Sequence, residues 1–151
     1  MHLTSPAFEN YAEVPARYTC LGKNLSPPLM WDDLPRGTRS LALIVDDPDA
    51  PDPAAPSRTW VHWVVYDLAP DPNRLTAGQA FLPGVHVGVN DWGDRAYGGP
   101  CPPVGRHRYF FKLYAVDRLL GPRGALTAGD LEHAMQGHVL GRAILVGTFQ
   151  K

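Results

Sequence analysis

A carboxylate cluster and two histidines, far apart in the chain, are the residues best suited to do chemistry together. Asp46, Asp47 and Asp49 crowd the point where an apolar run meets Pro48, in "LIVDDPDAP". His62 lies inside "WVHWVVY" and His107 opens "HRYFF". Period-two alternation puts His62 on the face of Trp60 and Val64, and His107 on the face of Tyr109, Phe111 and Leu113. A carboxylate at a strand exit and imidazoles within apolar strands can converge on a small pocket with aromatic walls. Imidazole N–H groups there can donate to an anionic oxygen, while the carboxylate orients one ring or holds it protonated.

The stretch "GGPCPPVGRHRYFF" supports the same pocket. Gly98 and Gly99 let backbone approach a ligand closely, and amides at Gly99, Cys101, Val104 and Gly105 can point inward. Such a concavity of backbone donors beside His107 suits a phosphate or a carboxylate. Arg95, Arg106 and Arg108 add positive potential, although alternation turns Arg106 and Arg108 away from His107. Blander readings stand beside this one. A histidine within an apolar strand also fits a satisfied core position, and "DPDAP" also fits a turn in which Asp caps backbone amides. An Asp with two His outlines a facial metal triad, but no pair has H-x-x-x-H spacing. Cys101 fits a nucleophile or a structural thiol, and neither Ser26 nor Ser57 has a neighbouring base.

The elements that must position these groups are mostly strands. "MHLTSPAF" reads as an edge strand, and Pro27 and Pro28 demote the start of "PPLMWDDLP" to a turn or edge. "TRSLALIVDD" is apolar on both faces, Leu41, Leu43 and Val45 on one and Ala42 and Ile44 on the other. It is therefore expected at the centre of a sheet, ending near Pro48. "TWVHWVVYDL", "HRYFFKLYAVDRLL" and "RAILVGTF" supply three more strands. One helix is expected in "TAGDLEHAMQGHVLG", with Thr127 and Asp130 as a capping box, Leu131, Met135 and Val139 as its apolar stripe, and Gly141 as its stop. The long, proline-stiffened loops "DDPDAPDPAAPSR" and "GVNDWGDRAYGGPCPPVG" exceed mere connectors. The pattern predicts a mainly β domain over 1–151, a β-sandwich decorated by one peripheral helix late in the chain.

Bulk properties narrow the partners. A formal charge of −1 and a pI near 6.6 give no electrostatic match to nucleic acid. No apolar run spans a bilayer, and the first residues lack the pattern of a signal peptide. Cys20 and Cys101 read most simply as reduced thiols in a cytoplasmic protein, with a single bridge as the alternative. Exposed strand edges leave room for a homodimer.

Together the segments "ARYTCLGKNLSPPLMW", "SLALIVDDPDAP", "WVHWVVYDL", "YGGPCPPVGRHRYFFKLYAVD" and "LVGTF" resemble the phosphatidylethanolamine-binding protein family, in its bacterial Raf-kinase-inhibitor-like branch. "DPDAP" alone is weak; followed by W-x-H and then G-x-P-P-x-G-x-H-R-Y it is specific. The resemblance implies a large antiparallel β-sandwich with a cavity for an anionic head group such as phosphorylethanolamine, phosphate or acetate. It implies ligand-binding roles for Asp47, Trp60, His62, Gly98, Gly99, Pro100, His107 and Tyr109, with no catalytic residue, no metal and no cofactor. A kinase or protease partner engaged through the proline-rich loops is the alternative role, and a metal-assisted hydrolase a third. Leu21 departs from the family's "C-D-G" turn. Eukaryotic relatives carry a C-terminal helix near the site, whereas the matching motifs here stop at "LVGTF". Pocket chemistry is therefore expected to transfer better than biological role.

Overall fold

The computed structural model describes residues Met1–Lys151. Its strands are β1 (His2–Thr4), β2 (Leu29–Asp32), β3 (Ser40–Ala50), β4 (Arg58–Leu68), β5 (Arg74–Leu75), β6 (His86–Val87), β7 (Arg106–Val116) and β8 (Val139–Gln150). The helix α1 (Ala128–Met135) precedes β8, and a 3₁₀ turn occupies Ala16–Tyr18. A three-stranded sheet, β1-β2-β5, faces a five-stranded sheet ordered β6-β4-β3-β7-β8, and every strand pair is antiparallel.

The two apolar faces of β3 explain its central place. Leu41, Leu43 and Val45 pack with Phe111 and Leu145 of the same sheet and with Leu29 and Trp31 of the smaller one. Ala42 and Ile44 face the other way, against Val64, Tyr66 and the helix residues Leu131 and Met135. A strand covered on both sides needs apolar residues at successive positions. The mainly β sandwich with one short helix agrees with the sequence reading.

Four expectations need correction. First, β3 does not end at Pro48 but runs to Ala50. Its ladder with β7 stops at Asp46↔Phe110, so the missing proline N–H costs no β7 bond, and the Asp49 carboxylate accepts from Arg108 N at 2.9 Å instead. Second, α1 ends at Met135, with Gly137 at φ +80°, so the chain leaves the helix before Gly141. Val139 then opens β8 and is exposed rather than extending the apolar stripe, while the Thr127–Asp130 capping box forms as expected. Third, Cys20 and Cys101 form a disulfide, with Cα atoms 5.4 Å apart. The argument for a cytoplasmic location from reduced thiols falls with it. No helix is long and apolar enough to cross a membrane.

The fourth correction concerns β4. Its register against β3 jumps from Val45↔Trp63 to Asp46↔Val61, which leaves His62 as an extra, unopposed residue. This is a β-bulge, and it breaks the alternation that paired His62 with Val64. Val64 faces the helix side, whereas His62 stays with Trp60 on the opposite side, at the end of the larger core cluster.

Candidate ligand-binding site

Beyond that core a cavity of about 300 Å³ opens between the strand ends and the long loops. β3 contributes Asp47 and Ala50, β4 contributes Trp60 and His62, and β7 contributes His107 and Tyr109. Pro51, Trp92 and residues 101–103 complete the lining. The structure thus gathers five of the eight expected site residues around one space.

Gly98, Gly99 and Pro100 stand behind the lining instead. Gly98 N donates to His62 O at 3.0 Å, and Gly99 N donates to Asn24 Oδ1 at 2.8 Å. Pro100 O accepts from Cys20 N at 3.1 Å. The Gly99 amide is therefore spent inside the protein rather than offered to a ligand. Glycine is needed at 98 because a Cβ there would collide with the Trp92 ring. Trp92 was missed by the sequence reading, although its loop was not. Asn90 Oδ1 accepts from Trp92 N at 2.9 Å and holds the turn, so the ring packs edge-on at 5.0 Å from His62 and 5.4 Å from Trp60.

Asp47 and His107 form a closed pair. His107 Nδ1 lies 2.6 Å from Asp47 Oδ2, and both side chains are buried. His107 Nε2 lies 2.8 Å from Val104 O and must donate to it, because a carbonyl can only accept. Asp47 Oδ1 accepts from Asp49 N at 2.7 Å. Burial raises the Asp47 carboxyl above its usual range, against the lowering pull of the His107 bond. Whichever partner holds the proton, the pair carries no net charge. Neither imidazole nitrogen of His107 remains free to bind an anion, contrary to the expectation from sequence.

His62 is committed differently. Nδ1 donates to Gly98 O at 2.6 Å, the one hydrogen bond of this side chain, and the ring lines the cavity. Burial pushes this imidazole down to about 4, so the ring is neutral near pH 7. With Nδ1 donating to Gly98 O, the other nitrogen of the neutral ring is an acceptor, not the donor that the sequence suggests. The unpaired donors are other groups. Trp60 Nε1 and Tyr109 Oη are both buried without a hydrogen-bond partner. Burial and the nearby Asp47 raise the Tyr109 phenol far above its ordinary range, so it stays protonated. Arg58 stacks over the Trp60 ring at 4.5 Å and pairs with Asp91 at 3.1 Å. Arg108 faces away and grips Asp49 through Nε and Nη2, at 3.0 and 2.9 Å. Asp47, His62 and His107 do not assemble into a three-ligand metal group.

The sequence profile of the phosphatidylethanolamine-binding protein family matches residues 4–150. The chain belongs to that family. It falls in the bacterial-type branch, and its fold closely follows the crystal structure of a family homologue from Chlamydia trachomatis. That match has a TM-score of 0.93 and 41% identity, covering 99% of this chain and 97% of that one. Escherichia coli YbcL, described as a member of the mammalian PEBP family, superposes with a TM-score of 0.87 at 27% identity, over 99% of this chain and 98% of its own. A UPF0098 protein of Methanothermobacter thermautotrophicus is 47% identical over all of this chain and 99% of its own.

Leu21, where the sequence departs from the turn expected of the family, stands away from the cavity. That side chain is 57% exposed, its amide is held by Thr19 Oγ1 at 3.2 Å, and it is absent from the cavity lining. Cys101, tied to Cys20 by the disulfide, does line the cavity, together with Pro102 and Pro103.

Proposed function

We propose that the protein is a binding protein, not an enzyme, and that its cavity holds a small anion of the phosphate class, free or as part of a phospholipid head group. The observation that carries this reading is the pair of buried donors, Tyr109 Oη and Trp60 Nε1, left without partners on two residues that line one hollow. A buried polar group without a partner costs about 1–3 kcal/mol, and a ligand oxygen accepting from it recovers that penalty. Asp47 and His107 act as positioning residues. Their bond ties the end of β3 to the start of β7, two residues before Tyr109, and so fixes where the phenol points. The test is calorimetric titration of phosphorylethanolamine and of inorganic phosphate into the wild type, Tyr109→Phe and His107→Ala. Saturable binding, weakened by both substitutions, is the expected result. Failure of every phosphate and carboxylate to bind removes the reading.

A second reading, an interaction module that inhibits a kinase or protease, draws support from the rim. Trp92 and Val104 are 45% and 53% exposed beside the cavity and its stiff prolines. Rigid apolar loops dock with little loss of conformational freedom. Capture of a kinase or protease that phosphate displaces, and that substitutions at Trp92 and Val104 abolish, favours this role.

A further inference from the structure

The hydrogen-bonding sense of His62 is settled by its neighbour. Gly98 O can only accept, so Nδ1, 2.6 Å away, carries the hydrogen. In the neutral ring Nε2 is then a bare lone pair, on a residue that lines the cavity together with Tyr109 and Trp60, whose hydroxyl and N–H are buried without partners. An oxyanion with no hydrogen of its own satisfies the two donors but sets an oxygen lone pair against the nitrogen lone pair.

Charge points the same way. From β3 and β7, Asp47 and His107 face His62 as a pair of zero net charge, and Tyr109 faces it as a neutral phenol. From the loop after β6, Asp91 is paired with Arg58 at 3.1 Å. Farther along β3, Asp49 is paired with Arg108 at 2.9 Å. These groups leave no uncompensated cation for a second negative charge on the ligand. In a partly desolvated hollow that second charge is costly.

Resting on the phosphate-site reading above, we propose that the cavity selects the monoanion of a phosphomonoester or of inorganic phosphate, the form that keeps a P–OH and carries one negative charge. The ligand's P–OH donates to His62 Nε2, while Tyr109 Oη and Trp60 Nε1 donate to its bare oxygens. Three consequences follow from this matching of hydrogens. Sulfate carries no hydrogen near neutral pH and is refused. A phosphodiester, the form present in an intact phospholipid, lacks the P–OH and is refused too, which separates a free phosphomonoester from a lipid as the source. Affinity falls as the ligand loses its second proton, near pH 6 for a phosphomonoester.

The experiment titrates the full chain, between pH 5.5 and 8.5, with phosphorylethanolamine, methylphosphonate, sulfate and the soluble diester glycerophosphorylethanolamine. Phosphorylethanolamine affinity should drop roughly 50-fold from pH 6 to pH 8, the loss of the monoanion fraction for a second ionisation near 6. The midpoint should move upward for methylphosphonate, which holds its second proton more tightly. Sulfate and the diester should bind roughly 100-fold more weakly at pH 6, because a site built for a ligand hydrogen rejects analogues lacking it. His62→Gln, whose amide can turn an N–H toward the ligand, should flatten the curve and admit sulfate. Sulfate or diester binding on a par with phosphorylethanolamine overturns the proposal, as does one midpoint shared by every ligand; the phosphate site itself then still stands. Absence of saturable binding by every ligand overturns both.

Discussion

The two ends of β4 carry similar chemistry with different outcomes. At the far end Asp67 is buried at φ +56°, beside His86 and the buried Tyr66. Its carboxylate accepts from Leu120 N and Gly121 N at 2.7 and 2.8 Å, and Tyr66 Oη accepts from Arg123 N at 3.0 Å. Each of those polar groups is spent on pinning the chain ahead of α1. At the near end Asp47, His107 and His62 Nδ1 are equally spent, but Trp60 Nε1 and Tyr109 Oη are not. A histidine, a carboxylate and a tyrosine in apolar surroundings therefore do not by themselves mark a site. Polar atoms left unpaired on residues around a shared hollow are what the proposed site rests on.

That contrast can be broken at several points. The near end is stitched to the rest of the chain by a bond that closes 81 residues. Replacing Cys20 and Cys101 by Ser should lower stability by about 4 kcal/mol, read by urea unfolding, since the open chain has more unfolded conformations. An unchanged midpoint would show that the neighbouring hydrogen bonds alone hold the wall.

Acid should act next. His62 titrates near its ordinary 6.5 when unfolded and at about 4 when folded. Between those values the unfolded chain binds the extra proton, so this contribution is full above pH 6.5 and is lost as the pH falls toward 4. Asp46 and Asp47, raised chiefly by burial, work in the opposite sense, and their contribution is lost as the pH rises. The informative quantity is therefore the difference between wild type and His62→Gln. From pH 7 to pH 4.5 the wild type should lose about 2–3 kcal/mol more than the variant. Parallel curves would contradict a buried neutral ring.

At the far end, Asp67→Asn sets an amide N–H2 against one of two buried backbone donors. It should cost about 2 kcal/mol in urea unfolding and leave ligand affinity unchanged. A loss of affinity at constant stability would make the far end part of the site.

The two tyrosines give the smallest change in stability and the sharpest contrast. Tyr66→Phe strips Arg123 N of its acceptor and should cost about 1 kcal/mol. Tyr109→Phe removes a hydroxyl that has no partner and should cost nothing measurable in the absence of ligand. Equal losses in thermal or urea unfolding would mean that Tyr109 Oη is structural after all.

Strands with a strong pattern were legible in the sequence, and the detail of the site was not. Two apolar faces placed β3 at the sheet centre, and aromatic and β-branched runs marked β4 and β7. Asp47, Trp60, His62, His107 and Tyr109 all reach the cavity. Alternation assumes one residue opposite one, so it could not show that His62 is the surplus residue of a bulge. Nor does a residue type reveal which nitrogen of an imidazole is already bonded. Gly98 O, Val104 O and Asp47 take the donors that were expected to meet an anion. The cavity wall likewise moved from residues 98–100 to 101–103, because the glycine pair packs against Trp92 and Asn24. Spacing alone left the thiols either free or paired, and only three dimensions brought Cys20 to Cys101.

On the proposed function a tetrahedral oxyanion completes the hydrogen bonds of the near end. A crystal of the protein grown with phosphorylethanolamine at pH 6 tests it most directly. Phosphate density is expected in the cavity, with oxygens about 2.6–3.0 Å from Tyr109 Oη and Trp60 Nε1 and one within reach of His62 Nε2. A hollow holding only ordered water on those three atoms, with the phosphate elsewhere or absent, would contradict it.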